Sequence, residues 1–134
     1  MQDCYANDAT FIDPVFVDLD SAETKAMWAM LITSGKDMRV EFRNIRETAN
    51  GASAEWDAWY TFSKTGNKVL NRVNSSFDIR DGKIVAQRDR FNFYSWARQA
   101  LGFTGLLLGW TPFLKRKIRS TARLNLKLYM ASKS

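Results

Sequence analysis

Four stretches of alternating side chains, closed off by short turn sequences, fill the middle of this chain and leave few folds open to it. Met38 to Ile45 sets Met38, Val40 and Phe42 against Arg39, Glu41 and Arg43. Ala54 to Phe62 carries Trp56, Ala58, Tyr60 and Phe62 on one side. Val69 to Ile79 is unusually polar, with Asn71, Asn74, Ser75 and Ser76, and Lys83 to Phe93 completes the set. A period of two is the pattern of strands with distinct faces. Asn50-Gly51, Thr65-Gly66-Asn67 and Asp81-Gly82 fall between the runs. Such residues tolerate the positive φ that tight hairpins need. Four consecutive antiparallel strands are therefore predicted.

Helical patterns flank them. Ser21 to Ser34 reads as a helix capped by Ser21, with Glu23 in its first turn, Ala26, Met27, Met30 and Leu31 as a buried stripe, and Gly35 as its stop. Tyr94 to Leu101 reads as a short helix ended by Gly102, and Gly105 to Trp110 as an apolar loop. Thr111 then caps a last helix with Pro112 at its first position. Leu114, Ile118, Thr121, Ala122, Leu124, Leu128 and Tyr129 form its expected apolar side; Lys115, Arg116, Lys117, Arg119, Arg123 and Lys127 form its wet side. Upstream, Met1 to Ala6 reads as the end of a helix and Phe11 to Val17 as a short strand interrupted at Pro14. Strands grouped together with helices at both ends predict an α+β fold, one domain over residues 1–134 with 94–134 as a helical extension.

The chain of 134 residues contains no histidine and one cysteine, Cys4. Ser-His-Asp and Cys-His catalysis, histidine metal sites and an internal disulfide are thereby excluded. Acid–base chemistry would fall to Asp, Glu, Tyr, Lys or Arg. No metal or cofactor is expected: the Gly102–Gly105 and Gly105–Gly109 stretches lack the Lys-Ser/Thr of a phosphate loop. The start is polar and carries no apolar signal sequence, so a cytoplasmic setting is expected. Charge is uneven: residues 1–89 sum to −3, and residues 90–134 to +9, without one acid. A solvated helix face explains the basic end most simply, and its aromatics are not interleaved with the charges as nucleic-acid binding would require.

Asp13 sits between Phe11-Ile12 and Pro14-Val15-Phe16. Desolvation there would raise its pKa and make it a usable base, although Asp before Pro is also ordinary turn chemistry. Gln87, Asp89 and Phe91 share one parity on the last strand, with Arg88 and Arg90 on the other. Asp89 is thus a second inward carboxylate or, alternatively, a rim partner of a neighbouring arginine. Asn71 and Asn74 stand at opposite parities, so one of them faces inward, as a structural bridge or an oxyanion donor.

Tyr5-Ala-Asn-Asp-Ala-Thr-Phe-Ile-Asp-Pro-Val-Phe16 resembles the signature of the nuclear transport factor 2-like superfamily, which holds steroid delta-isomerases and SnoaL-like polyketide cyclases. The similarity extends through Asp81-Gly82-Lys83-Ile84, and the tail from Arg90 to Trp110 resembles an uncharacterised bacterial branch. The resemblance implies a cone-shaped, strongly curved mixed sheet with helices on its concave face, here without the usual first helix. It matches Asp13 to the isomerase general base, brings Asn74 near the oxyanion-hole acid and puts Gln87, Asp89 and Phe91 on pocket-lining positions. The epoxide hydrolases of the superfamily need an inward Asp-Arg-Asp set, which adjacent Arg88 and Asp89 do not supply.

Together these readings give an isomerase- or cyclase-like protein working on an apolar carbonyl substrate. Asp13, Asp89 and Asn74 are its expected catalytic residues, and Phe16, Trp56, Tyr60, Gln87 and Phe91 its expected substrate contacts. A homodimer through the sheet is expected. The alternative is a non-catalytic module of the same fold that binds a ligand or a protein. Peripheral membrane contact through Leu106–Trp110 and the basic helix is the weakest reading.

Overall fold

The alternating runs pair into one sheet. A computed structural model describes residues 4–34 and 37–133. In it β1 (Tyr5–Ile12) and α1 (Ser21–Ser34) precede β2 (Arg39–Thr48), β3 (Gly51–Thr61), β4 (Lys68–Arg80) and β5 (Lys83–Arg90). Three helices follow: α2 (Phe93–Leu101), α3 (Phe103–Leu108) and α4 (Pro112–Lys133). The strand order is β1-β5-β4-β3-β2, with β1 parallel to β5 and the rest antiparallel. This is the expected α+β architecture, a curved, open mixed sheet with helices. Asp81 and Gly82, at φ 54° and 75°, turn β4 into β5 in the backbone of a two-residue hairpin. Register shifts interrupt β1 between Tyr5 and Thr10, β2 between Arg43 and Arg46, and β5 at Val85, which is passed over between the Asp78–Ala86 and Ile79–Ile84 pairs. Such bulges bend strands and increase their twist.

The N-terminal segment differs from expectation. Residues 1–3 of the expected helix end lie outside the described residues, and Tyr5 and Ala6 already belong to β1, where Tyr5 pairs with Ile84. Ala9 and Phe11 are buried on either side of exposed Thr10, a spacing of two that strand geometry gives and a helix does not. The strand then stops where the sequence reading began one. Pro14 has no amide hydrogen for a ladder, and residues 13–16 turn instead. Phe11 closes the loop by exchanging backbone hydrogen bonds with Leu19 at 3.0 and 2.9 Å. The cap of α1 is Asp20, not Ser21. Its carboxylate accepts from Glu23 N at 2.8 Å while Glu23 accepts from Asp20 N at 3.1 Å, a reciprocal capping box. Ser21 donates to Ala6 O at 2.9 Å, tying α1 to β1. The expected stop at Gly35 lies outside the described residues.

Two apolar clusters fix the helices. Val69, Phe93, Trp96, Ala97, Ala100 and Leu114 make one; Phe11, Phe16, Leu19, Met27 and Leu126 make the other, and Val15 packs against both. The seam of α4 is Leu114, Ile118, Ala122, Leu126 and Met130, spaced by four. Leu124 and Leu128, expected inside, are 56% and 61% exposed.

The apolar loop expected at Gly105–Trp110 is in part the helix α3. Its approach to α2 needs glycine: a Cβ on Gly105 would lie 1.9 Å from the Ala97 carbonyl oxygen. Gly105→Ala is expected to lower stability by about 1–3 kcal/mol, the usual cost of forcing extra volume into a packed contact. Urea unfolding would measure it, and an unchanged midpoint would mean that α3 is not held against α2.

Candidate functional site

The inner face of the sheet is marked by parity. On β4, Val69, Val73 and Ser75 are buried; on β5, Gln87 and Asp89 are buried while Arg88 and Arg90 are exposed. Arg88 turns outward to pair with Asp78 at 3.1 Å, so Asp89 is not its rim partner. Asp89 is only 6% exposed, and it meets polar groups from two directions. Ser75 Oγ donates to its Oδ1 at 2.6 Å, and Gln87 Nε2 donates to the same oxygen at 2.9 Å.

Both donors are themselves held. Trp56 Nε1 donates to Ser75 Oγ at 2.7 Å. Tyr5 donates its hydroxyl hydrogen to Gln87 Oε1 in a short bond, and Trp28 Nε1 donates to the Tyr5 oxygen at 2.8 Å. Every hydrogen in these two chains points toward Asp89, and each bond polarises the next. The chains do not neutralise the cost of burial: desolvation raises the Asp89 pKa, and the Ser75 and Gln87 bonds only offset part of that. Tyr5 is pushed up to about 12, chiefly by burial, so it stays a neutral donor.

Asp13 lies at the end of β1. Its Oδ1 accepts from Val15 N at 2.7 Å and Phe16 N at 2.6 Å, the hydrogen bonds of its own turn. Those bonds fix the carboxylate's orientation. They do not keep its pKa low, because burial dominates and raises it to about 6, with the Asp89 charge adding to the rise and Arg119 opposing it. Arg119 reaches this turn from α4, donating Nε to Pro14 O at 2.9 Å. The charge of Asp13 in turn helps raise the pKa of Tyr60, after desolvation, while the Trp96 bond lowers it. Tyr60 oxygen accepts from Trp96 Nε1 at 2.8 Å, which leaves its own hydrogen for another acceptor.

A row of aromatic rings runs beside these groups. Phe42, 56% exposed, stands 6.0 Å from Trp56, which is 6.5 Å from Trp28, which meets Phe11 edge-on at 6.0 Å. Phe42 pairs in register with Trp56 and Val40 with Ala58, so the uncovered part of the inner face lies over β2 and β3. Phe91 and Tyr60 pack against the cluster around Trp96, and Phe16 belongs to the cluster around Phe11. Two surface clefts of about 340 and 350 Å³ lie elsewhere. Neither is lined by Asp13 or Asp89, and Tyr5 alone joins the first cleft to the network.

The structure thus brings Asp13, Asp89, Gln87, Trp56 and Tyr60 to one side of the sheet. Asn74 does not join them. It is exposed, on the other face of β4 from Val73 and Ser75, and it pairs in register with Glu55 and Arg90. Ser75 takes the inward place. Tyr5, Trp28, Ser75 and Arg119 were missed as site residues, although Val69 and Val73 already marked the parity that Ser75 shares.

The five-stranded mixed sheet in this order, with its helices, has the nuclear transport factor 2-like fold. Within that superfamily the chain belongs to the SnoaL-like domain family, whose profile matches residues 1–87. The solved structures similar to it include IdmH of Streptomyces antibioticus, described as a polyketide cyclase, at TM-score 0.61 and 18% identity over 72% of this chain and 81% of that one. A protein of Jannaschia sp. CCS1, described as a SnoaL-like polyketide cyclase, superposes at TM-score 0.66 with 11% identity, covering 75% and 76% of the two chains. A ketosteroid isomerase-like fold from Catenulispora acidiphila DSM 44928, in complex with trimethylamine, gives TM-score 0.64 at 15% identity, covering 83% and 84%. At these identities the likeness is one of fold. No curated protein matches the chain in sequence. Among the described residues, no helix is long and apolar enough to cross a membrane.

Proposed function

We propose that the protein binds an apolar carbonyl compound along the Phe42–Trp56–Trp28 wall and moves a proton beside its carbonyl, in an isomerase- or cyclase-type reaction. The observation that carries this reading is the convergence of two hydrogen-bond chains on one oxygen of a buried carboxylate, Asp89, whose charge adds to the raised pKa of a second carboxylate, Asp13. Two such groups whose charges oppose each other divide into a base and an acid. Asp13, with a pKa of about 6, is ionised at neutral pH and still basic enough to take a proton. In the reaction its carboxylate accepts the hydrogen from the carbon next to the carbonyl. The C–H electron pair forms a carbon–carbon double bond, and the carbonyl π pair moves onto oxygen to give an enolate. Tyr60, or Asp89 in its protonated form, donates a hydrogen bond to that oxygen. Return of the proton to another carbon completes an isomerisation; attack of the enolate carbon on a second carbonyl, with the proton passed from Asp13 to the alkoxide that forms there, completes a cyclisation. The superfamily's cyclases and isomerases support the substrate class, and a homodimer through the sheet is part of the same proposal.

Deuterium exchange next to the carbonyl of apolar ketones, followed by NMR, tests the chemistry. The protein is expected to accelerate exchange, and Asp89→Asn to slow it by about 10²–10³-fold, within the range of a lost acid–base or electrostatic contribution. No acceleration across a panel of such ketones, with thermal stabilisation by them that persists in Asp13→Asn, would favour the non-catalytic binding module.

A further inference from the structure

Most short helices turn their large apolar residues toward the protein. α3 does the opposite. Gly105 and Gly109 are the buried positions of the segment, packed against Ala97 and Tyr94. Phe103 and Trp110 are each 74% exposed, and Leu106, Leu107, Leu108 and Phe113 stand out beside them. The stretch 103–113 carries no charge. Its polar atoms are already used: Trp110 Nε1 donates to Leu107 O at 2.9 Å, and Tyr94 Oη donates to Leu106 O at 3.0 Å. The ring nitrogen of the most exposed tryptophan would therefore not be stranded on leaving water.

Basic residues flank this apolar knob in sequence. Arg98 on α2 and Arg116 and Lys117 in the first turns of α4 are exposed, Lys127 is exposed further along α4, and no acid occurs after Asp89. On α4 the exposed Leu124 and Leu128 recur with Phe113, Lys117 and Lys127 on one side of the helix, opposite the buried seam. An apolar ridge set in a field of one sign is what an anionic lipid surface complements: side chains enter the headgroup boundary while the cations meet lipid charges. A second copy on the same patch would set like charges against each other. The sequence pattern alone favoured a solvated face; the outward turn of α3 reverses that weighting.

We infer that α3 and the outer side of α4 form a peripheral docking surface for membranes containing anionic lipid, with Phe103, Leu107, Trp110 and Phe113 as the inserting residues. This surface does not depend on the chemistry of the inner face of the sheet, and no residue of the candidate site takes part in it.

Co-sedimentation of the full chain with phosphatidylcholine vesicles, with and without phosphatidylglycerol, tests it. Binding is expected only with phosphatidylglycerol and should weaken as salt rises. Leu107→Asn with Trp110→Ser should reduce it at least about tenfold, as should Arg116→Glu with Lys117→Glu. All four side chains are at the surface, so thermal melting should stay unchanged; should the apolar pair unfold, the charge pair decides. The inference is overturned if the chain ignores anionic vesicles, binds neutral ones equally, or binds unchanged in the charge-reversed form. It is also overturned if the apolar pair abolishes self-association in solution without affecting vesicle binding, which would assign the patch to a second copy.

Discussion

Asp13→Asn is expected to give a protein that is more stable at pH 7 by about 1–3 kcal/mol and at least a hundredfold slower in proton transfer. The stability gain follows from linkage. Folding raises the Asp13 pKa from 3.8 to about 6, so between those values the folded state holds a proton that the unfolded state has released. Stability contributed by this group therefore falls as pH rises, and the full cost is present above the folded pKa. It is relieved as pH drops through 6 toward 4. Exposed carboxylates such as Asp8 and Asp78, whose pKa values are lowered by Arg80 and Arg88, act in the opposite sense at more acid pH. The difference between wild type and variant cancels them. Asn keeps an oxygen for the Val15 and Phe16 amides, so the turn survives. The upper end of the range is discounted because Asp13 is only partly buried by its surface area. Urea midpoints of both proteins from pH 4 to pH 8 give the measurement. The curves should diverge from about pH 4 to pH 6 and stay apart above that, with the variant higher. Parallel curves over that interval would mean that burial does not raise the Asp13 pKa.

The same residue shows how far sequence reasoning reached. The sheet was legible because alternation and hairpin turns are local properties, set by strand geometry and by the φ values of Asn, Asp and Gly. Asp89 was legible for a similar reason, since parity with Gln87 placed both on the face away from Arg88. Asn74 was placed by its likeness to the superfamily's oxyanion-hole acid and not by its own strand, which pairs with β3 without a break from Lys68 to Asp78. The correct signal was the alternation of Val69 and Val73 on the strand itself. Tyr5 and Trp28 could not be linked from sequence, because their hydrogen bond joins an edge of the sheet to a helix 23 residues away. α3 was hidden for another reason: glycine disfavours a helix in isolation, and only the close approach to Ala97 explains its presence.

Leu126→Ala should be the most destabilising of the single substitutions considered on α4, by about 2–5 kcal/mol. Leu126 is 1% exposed and sits among Phe11, Phe16, Leu19 and Met27, the residues that join β1, its terminal turn and α1. Truncation removes its transfer energy and leaves a cavity that three separate elements would have to move to fill. The polar ties of α4 to the same region, Arg119 to Pro14 O at 2.9 Å and Arg123 to Glu23 at 3.1 Å, are partly exposed and compensate little. Leu128→Ala, two residues on and exposed, should stay within about 0.5 kcal/mol. The pair thus reads the rotation of the helix: urea unfolding with equal effects at 126 and 128 would mean that a different side of α4 faces the sheet. There is a functional consequence too. Phe16 packs in the cluster with Leu126, and its amide is one of the two that hold Asp13. A cavity at 126 should loosen that turn, so any proton-transfer rate should fall in Leu126→Ala and persist in Leu128→Ala, even under conditions where both variants remain folded.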